Sequence, residues 1–257
     1  MPVRMNINAD MAEGFGHYRV GNDEAIMDVV GSVSVACGFH GGDPAIMHSV
    51  VQQAHANGLS IGAHPGFNDL WGFGRRKIDM RPDDLEYMTA YQIGALQGIC
   101  AYVDARVTHV KPHGALNNMA AVDADYAIAI GRAIKTIDPS IVYMALADSE
   151  MEKAAERLGL PVAREAFIDR LYDDEGNLCS RKIEGAVIND PQVAAERAVK
   201  MVIDREIISM NGKRLPTQFE SLCVHGDEPT AVAVAKAARQ ALEKAGVQLV
   251  TLPEMLS

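Results

Sequence analysis

The chain is poor in the residues and motifs that mark several large protein classes. It has four cysteines in 257 residues (Cys37, Cys100, Cys179 and Cys223), far apart and without a CxxC pair, which excludes a structural zinc site or a disulfide framework. Basic residues are outnumbered: 24 Lys and Arg stand against 34 Asp and Glu, a formal net charge of −10. That balance, with the acids dispersed, excludes nucleic acid and an anionic membrane surface as main partners. No apolar run is long enough to span a bilayer, and a strand-like segment starts almost at once, so the expected location is cytoplasmic. Nor is there a GxxxxGK[ST] phosphate loop, a GxGxxG opening a first βα unit, a GxSxG nucleophile elbow or an HExxH helix.

What the chain does have is alternation. Strand-like runs at 3–10, 32–39, 59–64, 107–112, 141–147, 161–167, 221–225 and 247–251 are separated by helical segments. These lie near 23–30, 44–57, 82–103, 123–137, 148–158, 191–207 and 229–245. Pro44 fits a first helical turn, Gly58 fits a C-terminal cap, and RPDDLE opens the helix at 82 with acids in its first turn. Residues 172–188 read as a turn or small hairpin, and 209–220 as a polar excursion. The glycine- and aromatic-rich loop 65–80 is long enough to serve as a lid or binding loop. Strict alternation implies a parallel sheet with right-handed crossovers. A hydrophobic content of 48% is ample for one large core. The expectation is α/β: a (β/α) barrel of about seven strands, in one catalytic domain over 1–257.

Polar residues follow nearly every strand, as in barrels whose sites are assembled from many loops, whereas open sheets gather ligands at one switch point. Four strand-like runs end in histidine followed by glycine or proline: GFHGGD (His40), GAHPG (His64), KPHGA (His113) and CVHGD (His225). A fifth run ends on Asp10 and Glu13 in DMAEG. Histidine titrates nearest neutrality and is a frequent general base and metal ligand. Lys111, two residues before His113, falls on the same side of an extended strand. With neighbouring carboxylates it could stabilise an oxyanion or hold a phosphoryl group. The candidate catalytic set is Asp10, Glu13, His40, His64, Lys111, His113 and His225.

Candidate substrate-binding residues are Asp43, Glu165, Asp169, Arg170 and Asp227. Arg170 offers a planar fork for a carboxylate or phosphate, with a local Asp–Arg ion pair as the plainer alternative. Asp43 precedes Pro44, and Asp227 precedes the last long helix, so capping competes with catalysis at both.

Taken in order, NINADMAEGFG, VACGFHGGDP, GAHPGF, VKPHGAL, EAFIDRLYDDEGNL and CVHGDEP resemble the signature blocks of the LamB/YcsF family over essentially the whole chain. That family is similar in fold to the glycoside hydrolase/deacetylase superfamily of barrels with about seven strands. Its members include the A subunit of the bacterial ATP-dependent 5-oxoprolinase. The resemblance therefore implies hydrolysis of 5-oxoproline to L-glutamate with ATP cleavage, together with subunits B and C. ATP would enter through those partners. Ala9, Ala12 and Asn117 stand where cysteine, glycine and tyrosine are common in the family, which bears on substrate fit. Related deacetylases hold a metal with an Asp and two His, and Asp10, His40, His64 and His113 could form such a set for a divalent metal. Two other readings stay open: a stand-alone metal-dependent amidohydrolase or deacetylase, and a non-catalytic subunit that presents the lactam. A homo-oligomer is compatible with each.

Overall fold

A computed structural model describes residues 3–225 and 230–257. Strands β1 (Arg4–Met11), β2 (Ser32–Ala36), β3 (Ser60–His64), β4 (Val107–Val110), β5 (Val142–Leu146) and β6 (Val162–Phe167) pair in parallel, each with the next. After β6, a short antiparallel hairpin of β7 (Glu206–Ile208) and β8 (Arg214–Pro216) stands apart from the sheet. The chain returns as β9 (Ser221–Val224), which pairs with β6 on one side and β1 on the other. The sheet thus closes into a seven-stranded parallel barrel.

Two sequence expectations shift. The helix expected over 191–207 stops at Asp204, and Glu206–Ile208 pairs instead with Arg214–Pro216 of the polar excursion. Residues 172–188 make a turn with isolated antiparallel bridges (Tyr172 with Leu178, Arg170 with Val187). The last strand, β10 (Gln248–Leu249), does not enter the barrel; it pairs with Arg4 and Met5 of β1, before β2 takes over at Asn8.

Helices cover the barrel; those at Gly114–Ala120 and Leu252–Met255 were not expected from the sequence, and the others lie where the alternation placed them. They are α1 (Asp23–Met27), α2 (Pro44–Ala56), α3 (Pro82–Cys100), α4 (Gly114–Ala120), α5 (Ala124–Ile137), α6 (Glu150–Leu158), α7 (Pro191–Asp204), α8 (Ala231–Lys244) and α9 (Leu252–Met255). Local signals start and stop them. Asp123, Ser149 and Asp190 accept hydrogen bonds from first-turn amides, and Gly159 ends α6 in the left-handed conformation. The outward residues of β1 (Met5, Ile7, Ala9 and Met11) are buried under these helices, each large one contributing roughly 1.5–3 kcal/mol of transfer free energy.

The inward residues are unusual for such a barrel, whose interior is ordinarily filled by branched apolar side chains. Asn6, Asn8 and Asp10 alternate along β1 toward the axis, where they meet Ser32, Ser221, Glu165 and Lys111. Asn6 donates to Ser32 Oγ (2.8 Å), Ser32 and Ser60 share a 2.5 Å hydroxyl contact, and Ser221 donates to Asn6 Oδ1 (2.7 Å). Buried polar groups are tolerated only when paired, and this ladder pairs them. On the opposite side Val142, Met144 and Ala163 form a small apolar cluster with Leu252 of α9.

Candidate active site

The site sits where β1, β3, β4, β6 and β9 end. A cavity of about 770 Å³ opens there, lined by Asp10, His64, Lys111, His113, Phe167, Arg170 and His225. Further out its wall carries Arg75, Arg76, Lys77, Arg181 and Lys182, a cationic rim on a chain of net charge −10. Such a rim favours an anionic ligand.

Lys111 anchors the floor. Its Nζ lies 2.8 Å from Asp10 Oδ1, 2.9 Å from Glu165 Oε1 and 3.1 Å from Asn8 Oδ1. Burial alone would raise the Asp10 pKa, but the charges of His64 and Lys111 hold it well below the usual carboxylate range. For Lys111 burial works downward, and Asp10, Cys223 and Glu165 override it to lift the ammonium well above its ordinary value. Burial dominates at Glu165 and raises its carboxyl.

Three imidazoles crowd beside Asp10. His64 Nδ1 donates to the Lys111 carbonyl (2.7 Å), and His113 Nε2 donates to the Phe73 carbonyl (2.8 Å). Their remaining nitrogens are 2.9 Å apart. Asp10 Oδ2 is 3.3 Å from His64 Nε2, and Glu13 Oε1 is 3.3 Å from His113 Nδ1. His40 stacks on His113 at 3.6 Å and reaches Glu13 Oε1 at 3.1 Å. Burial pushes the His40 and His113 pKa values well below 6.5.

The loop after β3 is pressed over these rings. A Cβ at Gly74, where φ is +62°, would lie 2.6 Å from His40 Cβ and 2.8 Å from the His113 ring. Only glycine combines that backbone with that approach.

Across the cavity, His225 Nδ1 stands 2.9 Å and 3.0 Å from the two Asp169 oxygens, and its backbone N–H donates to Asp169 Oδ2. This fixes the tautomer: Nδ1 carries the proton, leaving Nε2 as an acceptor. At Asp169 burial pushes upward, and the His225 contacts outweigh it and lower the pKa.

The structure thus gathers Asp10, His64, Lys111, His113, Arg170 and His225 on the cavity, with Glu13, His40, Glu165 and Asp169 directly behind. Asp169 orients His225 rather than pairing with Arg170. The Arg170 guanidinium donates to the Cys179 carbonyl (2.5 Å), and its Nε is buried without a partner. Asp43 is not brought in: it caps α2 through Ala45 and Ile46 and accepts from Gly16, because its place before Pro44 is the cap position. Asp227 lies outside the described residues.

Sequence reasoning missed Asn8 and His109. Both continue period-two patterns, Asn6–Asn8–Asp10 and His109–Lys111–His113, that point along the barrel axis. His109 fills the space over Gly62, where a Cβ would be 2.2 Å from its ring. Ala12, at φ +61°, shows why glycine suits that position.

The donor set fits a divalent cation. Glu13, His40, His64 and His113 bring ligand atoms within 4.8 Å of one another, and Asp10 Oδ2 lies 3.3 Å from His64 Nε2. The His64 and His113 rings are backed by carbonyls as metal-bound histidines usually are.

A parallel barrel that collects carboxylates, imidazoles and a lysine at its strand ends around one cavity has the make-up of an enzyme active site. The chain belongs to the LamB/YcsF family, whose profile matches residues 5–257. It is 48% identical over 246 residues to the 5-oxoprolinase A subunit of Rhodopseudomonas palustris, covering 95% of this chain and 97% of that protein. It is 50% identical over 245 residues to that of Heliobacterium modesticaldum, covering 95% and 96%. The crystal structure of a lactam utilization protein from Thermus thermophilus superposes with a TM-score of 0.92 at 40% identity, over 97% of this chain and 100% of that one. A deacetylase, T48, shares the fold at TM-score 0.51 and 14% identity, over 99% and 90%. Among the described residues no helix is long and apolar enough to cross a membrane.

Proposed function

We propose that this chain is the A subunit of an ATP-dependent 5-oxoprolinase, acting as one catalytic domain with partner subunits B and C. The reaction is 5-oxo-L-proline + ATP + 2 H2O giving L-glutamate, ADP and phosphate. The observation that carries this reading is the convergence of Asp10, His64, His113 and His225, from four strand ends, on one cavity with a cationic rim. The names of its relatives support the substrate and the role within a larger assembly.

A lactam is a resonance-stabilised amide, and phosphorylating its carbonyl oxygen breaks that resonance. Water then adds to the carbonyl carbon, the C–N bond opens with the ring nitrogen leaving as the amine, and a second water cleaves the resulting acyl phosphate to glutamate and phosphate. With no phosphate loop in this chain, ATP acts through the partners, and the cationic rim receives the phosphorylated lactam. His225, held by Asp169, takes a proton from the attacking water at Nε2. Arg170 clamps the substrate carboxylate. Asp10, with Glu13, His40, His64 and His113 around it, supplies fixed negative charge and proton acceptors on the opposite wall. Lys111 keeps Asp10 ionised. The need for ATP and four free, buried thiols support a cytoplasmic location.

A second reading rests on the facing nitrogens of His64 and His113: a divalent metal held by Asp10, Glu13, His64 and His113. Such an ion would polarise an amide carbonyl or a water in a stand-alone amidohydrolase.

A glutamate-release assay with and without ATP and partner subunits tests the proposal. Glutamate should require both, and Asp10→Ala and His113→Ala should each lower the rate by about 100-fold or more. Folded variants with full activity would show that the site is wrongly placed. ATP-independent turnover with tightly held metal would favour the second reading.

A further inference from the structure

Lys111 has committed its donors before any substrate arrives. An ammonium offers three N–H groups and no acceptor. Asp10, Glu165 and Asn8 each place an oxygen within 3.1 Å of Nζ, and Cys223 Sγ adds a fourth neighbour at 3.0 Å. The Lys111 hydrogen bonds go to Asn8 Oδ1 and Cys223 Sγ and its charge pairs with Asp10 and Glu165, so a substrate oxyanion would have to displace one of these neighbours. Lys111 is therefore built to hold Asp10 rather than to bind substrate directly.

Two carboxylates share this one cation, and the side chain set between them is Asn8. Its Oδ1 accepts from Lys111, while Nδ2 donates to Glu165 Oε1 (2.8 Å) and to Ser221 Oγ (2.8 Å). The reverse amide orientation would aim NH2 at an ammonium and oxygen at a carboxylate, so the network fixes the orientation. Ser221 passes its own proton to Asn6, and Asn6 donates to Ser32 and to the Val250 carbonyl. Asn8 is thus anchored through the barrel to its floor. Glu165, by contrast, is fully buried and does not line the cavity.

We propose that Asn8 is a positioning residue. By satisfying Glu165 with an amide donor, it leaves the Lys111 ammonium directed at Asp10 and fixes the Asp10 carboxylate in the cavity. This inference rests on the lactam-hydrolase reading for its kinetic part. Its geometric part concerns Lys111 alone.

The test is a carboxylate–amide exchange. Asn8→Asp sets a second carboxylate against Glu165 with no donor between them. The double variant Asn8→Asp/Glu165→Gln restores an amide donor opposite a carboxylate and the original charge count around Lys111. In the assembled enzyme, Asn8→Asp should lower kcat by about 30-fold or more, with KM for 5-oxoproline within about threefold. The double variant should recover kcat to within about fivefold of the native enzyme. In the chain itself, crystal structures should find Lys111 Nζ paired with Asp10 in the native protein. The ammonium should be drawn away from Asp10 toward position 8 in Asn8→Asp and return to Asp10 in the double variant.

An Asn8→Asp enzyme with native kcat and a native Lys111–Asp10 pair overturns the proposal. So does a double variant with a native melting temperature that recovers neither. If Asn8→Asp fails to fold, Ser221→Ala, which removes one anchor of the same amide, carries the test with an expected kcat loss of about three- to tenfold; no loss there overturns it. A native assembly that releases no glutamate defeats the functional reading, and the position of Lys111 in the variants then still decides the role of Asn8.

Discussion

His113 Nδ1 stands 2.9 Å from His64 Nε2, and each ring donates its opposite N–H to a backbone carbonyl. Two neutral imidazoles so arranged would point lone pair at lone pair, with Asp10 and Glu13 oxygens 3.3 Å away. The arrangement needs a positive charge at its centre, either a proton on the pair or a divalent cation. His40 brings a ligand atom to the same group, but its ring faces a single ion differently from those of His113 and His64. Its ring lies parallel to His113 within 4° at 3.6 Å, and a bound ion lies near the plane of its imidazole, so one ion cannot serve both. His40 serves Glu13 instead.

For the ATP-dependent reaction the charge is expected to be a proton. Elemental analysis of the purified chain should then find well under one equivalent of transition metal, and added Co²⁺ should give no ligand-field absorption. One tightly held equivalent, lost in both His64→Gln and His113→Gln, would establish the metal site instead.

The His225–Asp169 pair gives a second test. Asn at position 169 offers NH2 where the imidazole needs an acceptor, so the ring takes the other tautomer and turns N–H toward the cavity. Asp169→Asn should therefore lower kcat by roughly 10²- to 10⁴-fold with little change in KM. A loss expressed mainly in KM would place Asp169 in substrate binding.

How much of this was legible in the sequence depends on range. Strand-end histidines, Asp10 and Glu13 stood out because glycine follows each run, and the barrel followed from alternation. Glycine and proline mark a turn, but they do not say which side chain touches which. That Asp169 reaches His225, 56 residues away, and that Lys111 sits between Asp10 and Glu165, depend on how β1, β4, β6 and β9 close around the axis. Asp43 and Asp169 look alike in sequence, each an acid near a strand exit. One caps a helix, and the other meets a partner from the next barrel strand. Asn8 was hidden for a different reason: amides inside a strand carry no signal until the partners across the barrel are known.

Backbone conformation supplies a prediction independent of catalysis. Arg205 follows α7 with φ +55° and ψ +45°, the left-handed conformation in which a Cβ is strained, and it is exposed. Glycine takes that position without strain. Arg205→Gly should stabilise the fold by about 1 kcal/mol, which raises Tm by about 2–4 °C in a domain of this size. Calorimetry at constant pH checks it, and an unchanged or lower Tm would mean that the arginine side chain makes a compensating contact.

Acid stability follows from the buried imidazoles. Burial holds His109 down to about 3, and it lowers His40 and His113 well below 6.5. Each binds a proton in the unfolded chain below pH ~6.5 but stays neutral when folded, so stability falls as pH drops below the unfolded value. Glu165, Glu152 and Asp23, whose carboxyls are raised mainly by burial, act in the opposite sense and offset part of this. Asp10 and Asp169, both lowered, add their loss only below about pH 4. Urea midpoints should therefore decline already between pH 6.5 and 4.5, above the range of ordinary carboxylate titration. His109 isolates one share of that slope, since it lies in the barrel behind the cavity and not on it. In His109→Gln the slope of unfolding free energy against pH over this window should shrink by about 1.4 kcal/mol per unit, the contribution of one proton. An unchanged slope would mean that His109 binds its proton in the folded state.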